Sequence, residues 1–203
     1  MRIFFLGLVF FVISGCANLN LPLPKLTTES PVFDQWEAHK IHISELKYWR
    51  MNSRAFIQSK DDGFASSIRW KQQDQLYDIR FTAPFSQGLY HLSGAPENVS
   101  ILLPDGTEQT AIDPETLMNK TLGFKFPVSG LGYWLRGLPY PEDPGRDIVL
   151  DSNERLAELK QAGWDIKISK YIHKDGYYLP TKLTIENSHL KIKMAVSEWI
   201  TSE

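Results

Sequence analysis

Tyr77-Asp78-Ile79-Arg80-Phe81-Thr82, running into Ala83-Pro84-Phe85-Ser86-Gln87-Gly88, is the stretch that decides the fold. Apolar and polar side chains alternate strictly through Thr82, the period of a strand with one face buried, and the Pro-containing segment after it reads as a turn. The same period recurs on both sides. Met51 to Gln58 alternates loosely, Lys60-Asp61-Asp62-Gly63 turns, Ala65 to Gln72 resumes and Gln73-Asp74 turns again. Beyond Gly88, Leu89 to Ser93 returns, Gly94 to Asn98 turns, and Val99, Ile101 and Leu103 alternate up to Pro104-Asp105-Gly106, the strongest turn signal in the chain. Alternating runs joined by short polar turns predict an antiparallel meander.

Helical signals stand at the start and in the middle. Ser30-Pro31 offers a cap hydroxyl followed by Pro at the first helical position, and Phe33, Trp36, Ile43 and Leu46 share one face of a helix expected to reach about Lys47. His39 and His42 lie on it without a carboxylate at ligand spacing, so they read as a packed or half-exposed pair and not as a metal site. Asp113-Pro114-Glu115 opens a second helix that Gly123 ends, with Leu117, Met118 and Thr121 as its narrow apolar face. Ser129 is expected to open a third, in which Leu131, Trp134, Leu135 and Leu138 follow helical spacing until Gly137 and Pro139 close it.

Signals conflict at Arg155 to Gln161. Glu-Arg-Leu-Ala-Glu-Leu-Lys favours a helix by propensity, whereas Gln161-Ala162-Gly163 before Trp164, Ile166 and Ile168 reads as a turn into a strand. A hairpin is the expectation. Tyr177 to Glu186 and Leu190 to Val196 form a last pair around Asn187-Ser188. The sum is a mainly β chain of about ten strands with three short helices. A single antiparallel sheet of that width curls as twist accumulates. The expected fold is an open antiparallel half-barrel whose apolar concave face is lidded by the two middle helices, a shape suited to an apolar ligand.

The N-terminus has a separate character. Arg2 precedes an apolar run from Ile3 to Ile13, too short to span a bilayer comfortably, and Ser14-Gly15 lead into Cys16, the single cysteine of the chain. This layout resembles the lipobox of bacterial lipoproteins. The resemblance implies cleavage before Cys16, diacylglyceryl attachment to its sulfur and acylation of the new amino terminus. Residues 1–15 are then a signal peptide, 16–29 a lipidated tether and 30–203 one domain. Ala17 in place of the Asp that marks inner-membrane retention implies the outer membrane, facing the periplasm. Removing 1–15 from the 203 residues leaves 188, with 21 basic against 24 acidic side chains once Arg2 is gone. No like-charge block suggests nucleic-acid binding. No thiol remains for an intramolecular disulfide, so stability rests on packing, to which six Trp, eight Tyr and eleven Phe in the whole chain contribute.

The run Leu122-Gly123-Phe124-Lys125-Phe126-Pro127-Val128-Ser129-Gly130-Leu131-Gly132-Tyr133-Trp134-Leu135-Arg136-Gly137-Leu138-Pro139 resembles the outer-membrane lipoprotein receptor family LolB. Trp36, Tyr77-x-Ile79-x-Phe81 with Ala83-Pro84-Phe85, Gln161-x-Gly163-Trp164, Lys191-x-Lys193-Met194 and Trp199-Ile200 match it in order and spacing across the mature chain. The resemblance implies a LolA/LolB-like half-barrel that takes lipoproteins from the periplasmic carrier LolA and places them in the inner leaflet of the outer membrane. Phe85 stands where family members often carry Leu, which keeps the apolar contact. On this reading Tyr77, Ile79, Phe81, Leu131, Trp134, Leu135 and Leu138 line or cover an acyl-chain cavity, and Phe85 is a wedge into lipid. The partners are the carrier, acylated cargo and the membrane; a monomer is expected, with no nucleic acid, no cofactor and no metal beyond the lipid on Cys16.

Catalysis finds no support in the pattern. The five His are scattered, and His-Glu-x-x-His, Gly-x-Ser-x-Gly and a Walker-type phosphate loop are all missing from the sequence. A lipocalin-like binder of a free hydrophobic ligand is the alternative, with the same cavity but no carrier partner.

Overall fold

The computed structural model describes residues 31–60, 62–82, 88–95 and 98–202, with side chains from residue 35 onward. Cys16, the expected signal and tether within residues 1–29, Ser30 and Phe85 lie outside these residues. Eleven strands form one antiparallel sheet: β1 (Tyr48–Ser59), β2 (Gly63–Gln73), β3 (Leu76–Thr82), β4 (Leu89–Ala95), β5 (Asn98–Leu102), β6 (Glu108–Ala111), β7 (Arg146–Leu150), β8 (Leu156–Gln161), β9 (Trp164–Lys174), β10 (Tyr177–Glu186) and β11 (Leu190–Ile200). Their order is β6-β5-β4-β3-β2-β1-β11-β10-β9-β8-β7. Two meanders therefore fan out from the pair β1–β11, and β6 and β7 are left as edges that do not pair with each other. The half-barrel is open.

The alternation read from the sequence sets which face is inside. Trp49, Met51, Ala55 and Ile57 of β1, Ile68 and Trp70 of β2, and Ile79 and Phe81 of β3 are buried on the concave side. Ile192, Met194 and Val196 of β11 continue that face, while the intervening residues face solvent. A one-residue slip would turn each row outward, so burial enforces the register.

Two strands were not expected from the sequence, β6 and β7. Both are short, and β7 pairs irregularly with β8, with Asp147 at positive φ. Short, irregular edges resist pairing with a second chain. At Arg155 to Gln161 the hairpin expectation holds, with β8 turning into β9. Ala162 (φ 51°) and Gly163 (φ 80°) join Gln161 to its partner Trp164. A two-residue turn with both φ positive matches strand twist, and its tertiary pairing overrides helix propensity.

Three helices accompany the sheet: α1 (Pro31–Ser44), α2 (Pro114–Leu122) and α3 (Val128–Trp134). The first stops three residues short of the expected end and buries Trp36 and Ile43 beside β10. His42 is exposed and stacks on Tyr177, with ring centroids 4.9 Å apart. Helix α2 begins and ends as its sequence predicts. Asp113 accepts the Thr116 N–H at 2.7 Å, and Gly123 takes the left-handed position at φ 81°. The expected start of α3 is corrected. Pro127 holds the cap position, and Ser129 sits inside the helix, donating its N–H and hydroxyl to the two Glu115 oxygens at 2.8 and 3.1 Å.

One buried polar side chain locks α3 to the sheet. Gln161, 3% exposed, accepts from Trp134 Nε1 at 2.8 Å and from the Tyr140 N–H at 2.7 Å. Its amide nitrogen donates to the carbonyls of Tyr140 and Asp143 at 2.8 and 2.6 Å. All four hydrogen-bonding positions of the amide are used. Replacing it with an apolar residue leaves the buried Trp134 Nε1 and three part-buried backbone groups without these partners, and a buried group left unpaired costs about 1–3 kcal/mol. Gln161→Leu is expected to lower stability by roughly 3 kcal/mol or more, read as a drop in the urea midpoint at unchanged slope.

Candidate functional site: an apolar trough under two helices

Helices α2 and α3 connect β6 to β7 in the chain and pack over the concave face, α2 against β5 and β6. What lies beneath them divides into two chambers. The first is wholly apolar apart from Ser66. Ile57, Phe64, Ile68, Trp70, Ile79, Phe81 and Leu92 form its floor, and Met118, Leu122, Phe124, Phe126, Val128 and Leu131 its roof. Ser66 Oγ donates to the Thr82 carbonyl at 2.6 Å, so no polar group is left free in that wall. The chamber encloses about 20 Å³ of free space within an envelope of about 450 Å³ that includes its mouth and the solvent before it. That free space suits about one water and is far too small for an acyl chain. The structure is thus a closed state.

The second chamber is wide and mixed, with about 770 Å³ of space. It shares Trp70 and Val128 with the first, so these two side chains form the partition. Lys47 and Arg136 face Asp74, Asp113, Glu115 and Glu142 across it, with Tyr77, Tyr133 and Tyr140 between. Arg136 donates through Nε to the Gly132 carbonyl and through Nη1 to the Leu46 carbonyl, each at 3.2 Å, tying α3 to the start of β1. Burial pulls the Arg136 pKa down, opposed by Tyr133. Burial also raises the Tyr77 phenol, with Glu115 and Asp113 adding to it, and its buried hydroxyl has no partner among the described residues. The Tyr77 ring covers Gly94 on β4, where a Cβ would come within 2.0 Å of the ring. Only glycine leaves room for that contact.

The seven residues expected at the cavity fall into three groups. Ile79, Phe81 and Leu131 line the apolar chamber, whereas Tyr77 and Leu138 line the mixed one. Trp134 and Leu135 are fully buried and line neither; they seat α3 on the sheet. Sequence reasoning passed over Ile57, Ile68 and Trp70, although their alternation in β1 and β2 could have found them. Phe124 and Phe126 stand in the sequence only as part of the family-like run, with no cavity role assigned. Nothing local marks a non-helical linker as part of a cavity roof. Among the described residues no group of three or more His, Cys, Asp or Glu could hold a metal ion.

The geometry has known counterparts. The family model "Outer membrane lipoprotein LolB" matches residues 47–199. An outer-membrane lipoprotein LolB of Pseudomonas fluorescens is 33% identical over 189 residues, covering 93% of this chain and 91% of that one. Its counterpart in Pseudomonas aeruginosa is 32% identical over 204 residues, covering 98% and 96%. Among solved structures, a LolA superfamily protein from Nitrosomonas europaea superposes with a TM-score of 0.53 at 10% identity, over 81% of this chain and 94% of its own. That likeness concerns the fold alone. With the family model spanning β1 to β11 and the relatives matching nearly end to end, the chain belongs to the LolB family of outer-membrane lipoproteins.

Proposed function

We propose that this chain receives lipoproteins from the periplasmic carrier LolA, holds their acyl chains in the apolar chamber, and inserts them into the inner leaflet of the outer membrane. Family membership supports a role in lipoprotein localisation. The observation that carries the finer reading is the chamber: an apolar floor of strands and an apolar roof of helix and linker, with no polar group left free in the wall. Each methylene exposed to water costs about 0.8 kcal/mol, so an acyl chain of roughly fifteen costs on the order of 12 kcal/mol in solvent. Handover must therefore run from one apolar chamber directly to another. The sequence carries no Walker-type phosphate loop to drive the step with a nucleotide, so the reading has transfer run downhill.

Loading requires the closed roof to move, and the tethers indicate which part moves. Helix α3 is pinned by Trp134 to Gln161 and by Arg136 to Leu46. Helix α2 is joined to α3 through Glu115 and Ser129, and the linker between them begins at Gly123, whose left-handed backbone ends the helix. Swinging α2 with Phe124 and Phe126 about the fixed α3 opens the chamber. The exchange is apolar contact for apolar contact, so its cost is small. Glu115→Ala is expected to accelerate amide exchange across α2 and to raise the rate at which an acylated peptide quenches tryptophan emission, with α3 amides unchanged. Equal acceleration in both helices would show that they open as one.

Phe85 follows Pro84 in the connection between β3 and β4. On this reading it is the wedge that meets lipid, and Cys16 carries the acyl anchor that keeps the domain near the bilayer. In a reconstituted system of carrier, acylated cargo and vesicles, Phe85→Glu is expected to accept cargo at the wild-type rate and fail to release it into membrane. Normal insertion by that variant removes the wedge from the mechanism. A domain that binds free fatty acid but takes no lipoprotein from the carrier would favour the lipocalin-like alternative. Depletion in cells offers the broadest test: other lipoproteins should lose their outer-membrane location.

A further inference from the structure

The convex face of the sheet carries a charge pattern that the linear sequence does not display. Strand register sets Arg50 directly opposite Lys71, Arg69 opposite Arg80, and Lys170 opposite Lys182. All six side chains are exposed. Among the described residues only Arg80 has a carboxylate within 4.0 Å, that of Asp78 at 3.4 Å, and Asp78 also binds His91 at 2.5 Å. Like charges directly opposite each other destabilise a sheet. Acids share this face, Asp165 standing directly opposite Glu186, with Asp78 and Glu198 nearby, but with Arg54, Lys167, Lys191 and Lys193 added to the six the cations outnumber them. The acids Asp74, Asp113, Glu115 and Glu142 border the mixed chamber on the lid side.

The pairs run from β3 through β2, β1, β11 and β10 to β9, six adjacent strands and roughly 25 Å of surface at about 4.8 Å per strand. Within it Phe56 is exposed, opposite Lys193. A distributed cationic face of that breadth complements a broad anionic plane better than a short acidic peptide, which would meet only one or two of the pairs. We propose that the convex face between β3 and β9 docks on the anionic headgroups of a phospholipid bilayer. Fourteen residues separate Cys16 from Pro31, at most about 50 Å of chain. An anchor at Cys16 would hold the domain near the bilayer without choosing which side faces it. The basic face makes that choice while cargo is taken up, with the lid side open to the periplasm, and delivery into the bilayer requires the domain to roll off this face.

The test uses the unlipidated chain beginning at Ala17, which keeps every element described above, and sedimentation with vesicles. Binding is expected to phosphatidylethanolamine mixed with phosphatidylglycerol and not to phosphatidylethanolamine alone, with release at high salt. Arg69→Gln with Lys182→Gln should weaken that binding about 25-fold, from roughly fivefold per basic residue at an anionic surface. Its urea midpoint should hold or rise, because two like-charge pairs are relieved. Lys120→Gln with Lys125→Gln makes the same charge change on exposed lid-side positions and should leave binding intact. Equal binding to both vesicle types overturns the proposal, as does equal loss in the two double variants. So does a chain indifferent to vesicles that instead needs Arg69 and Lys182 to associate with an acidic protein. The readout involves neither carrier nor cargo, so its failure is distinct from a failure of lipoprotein transfer.

Discussion

Strand β1 is the constraint on which the architecture depends. It pairs on one side with β2, its neighbour in sequence, and on the other with β11, the last strand of the chain. That long-range pairing joins two meanders into one sheet and fixes where the sheet stops, at β6 and β7. The helices between those edges cover the concave face by side-chain packing and not by a ladder of backbone hydrogen bonds. The difference matters physically. A hydrogen-bonded seam cannot open without stranding polar groups, whereas an apolar contact can be replaced by another apolar surface at little cost. The half-barrel is open in the one way that lets an apolar guest replace part of its core.

Rigidity and mobility are divided between the two lid helices by polar contacts. Gln161 and Arg136 both hold the C-terminal end of α3, one from β8 and one to the Leu46 carbonyl just before β1. The Gln161 amide is fully satisfied, which makes that attachment costly to break. Helix α2 has sound local capping but rests on the sheet through Leu117 and Met118, an interaction of the same chemistry as its proposed guest. The partition of Trp70 and Val128 separates a dry chamber from one where charged and phenolic groups meet. Acyl chains and polar segments of one ligand would thus find different surroundings a few side chains apart.

Much of this could be read along the chain. Alternation at Tyr77 to Thr82 and in the flanking runs identified a curled antiparallel sheet, and Asp113, Pro114 and Gly123 bounded α2 correctly. Strands β6 and β7 escaped notice because Glu108 to Ala111 and Arg146 to Leu150 are short edge segments without clean alternation. Ser129 misled because a hydroxyl before an apolar run looks like a cap, whereas its partner is Glu115, fourteen residues earlier. Phe124 and Phe126 gave no periodic signal because a linker has none.

By itself the sequence determined the faces of the strands, the ends of α2 and the family signature, because these rest on local periodicity, capping chemistry and the order of short motifs. Only the tertiary structure decided which apolar residues line a chamber and which are plain core. Trp134 and Leu135 sit beside Leu131 in sequence yet face different neighbours. It also decided the charge of the convex face, since Arg50 meets Lys71 and Lys170 meets Lys182 only through strand register. Register is a long-range property, and so are the surfaces it assembles.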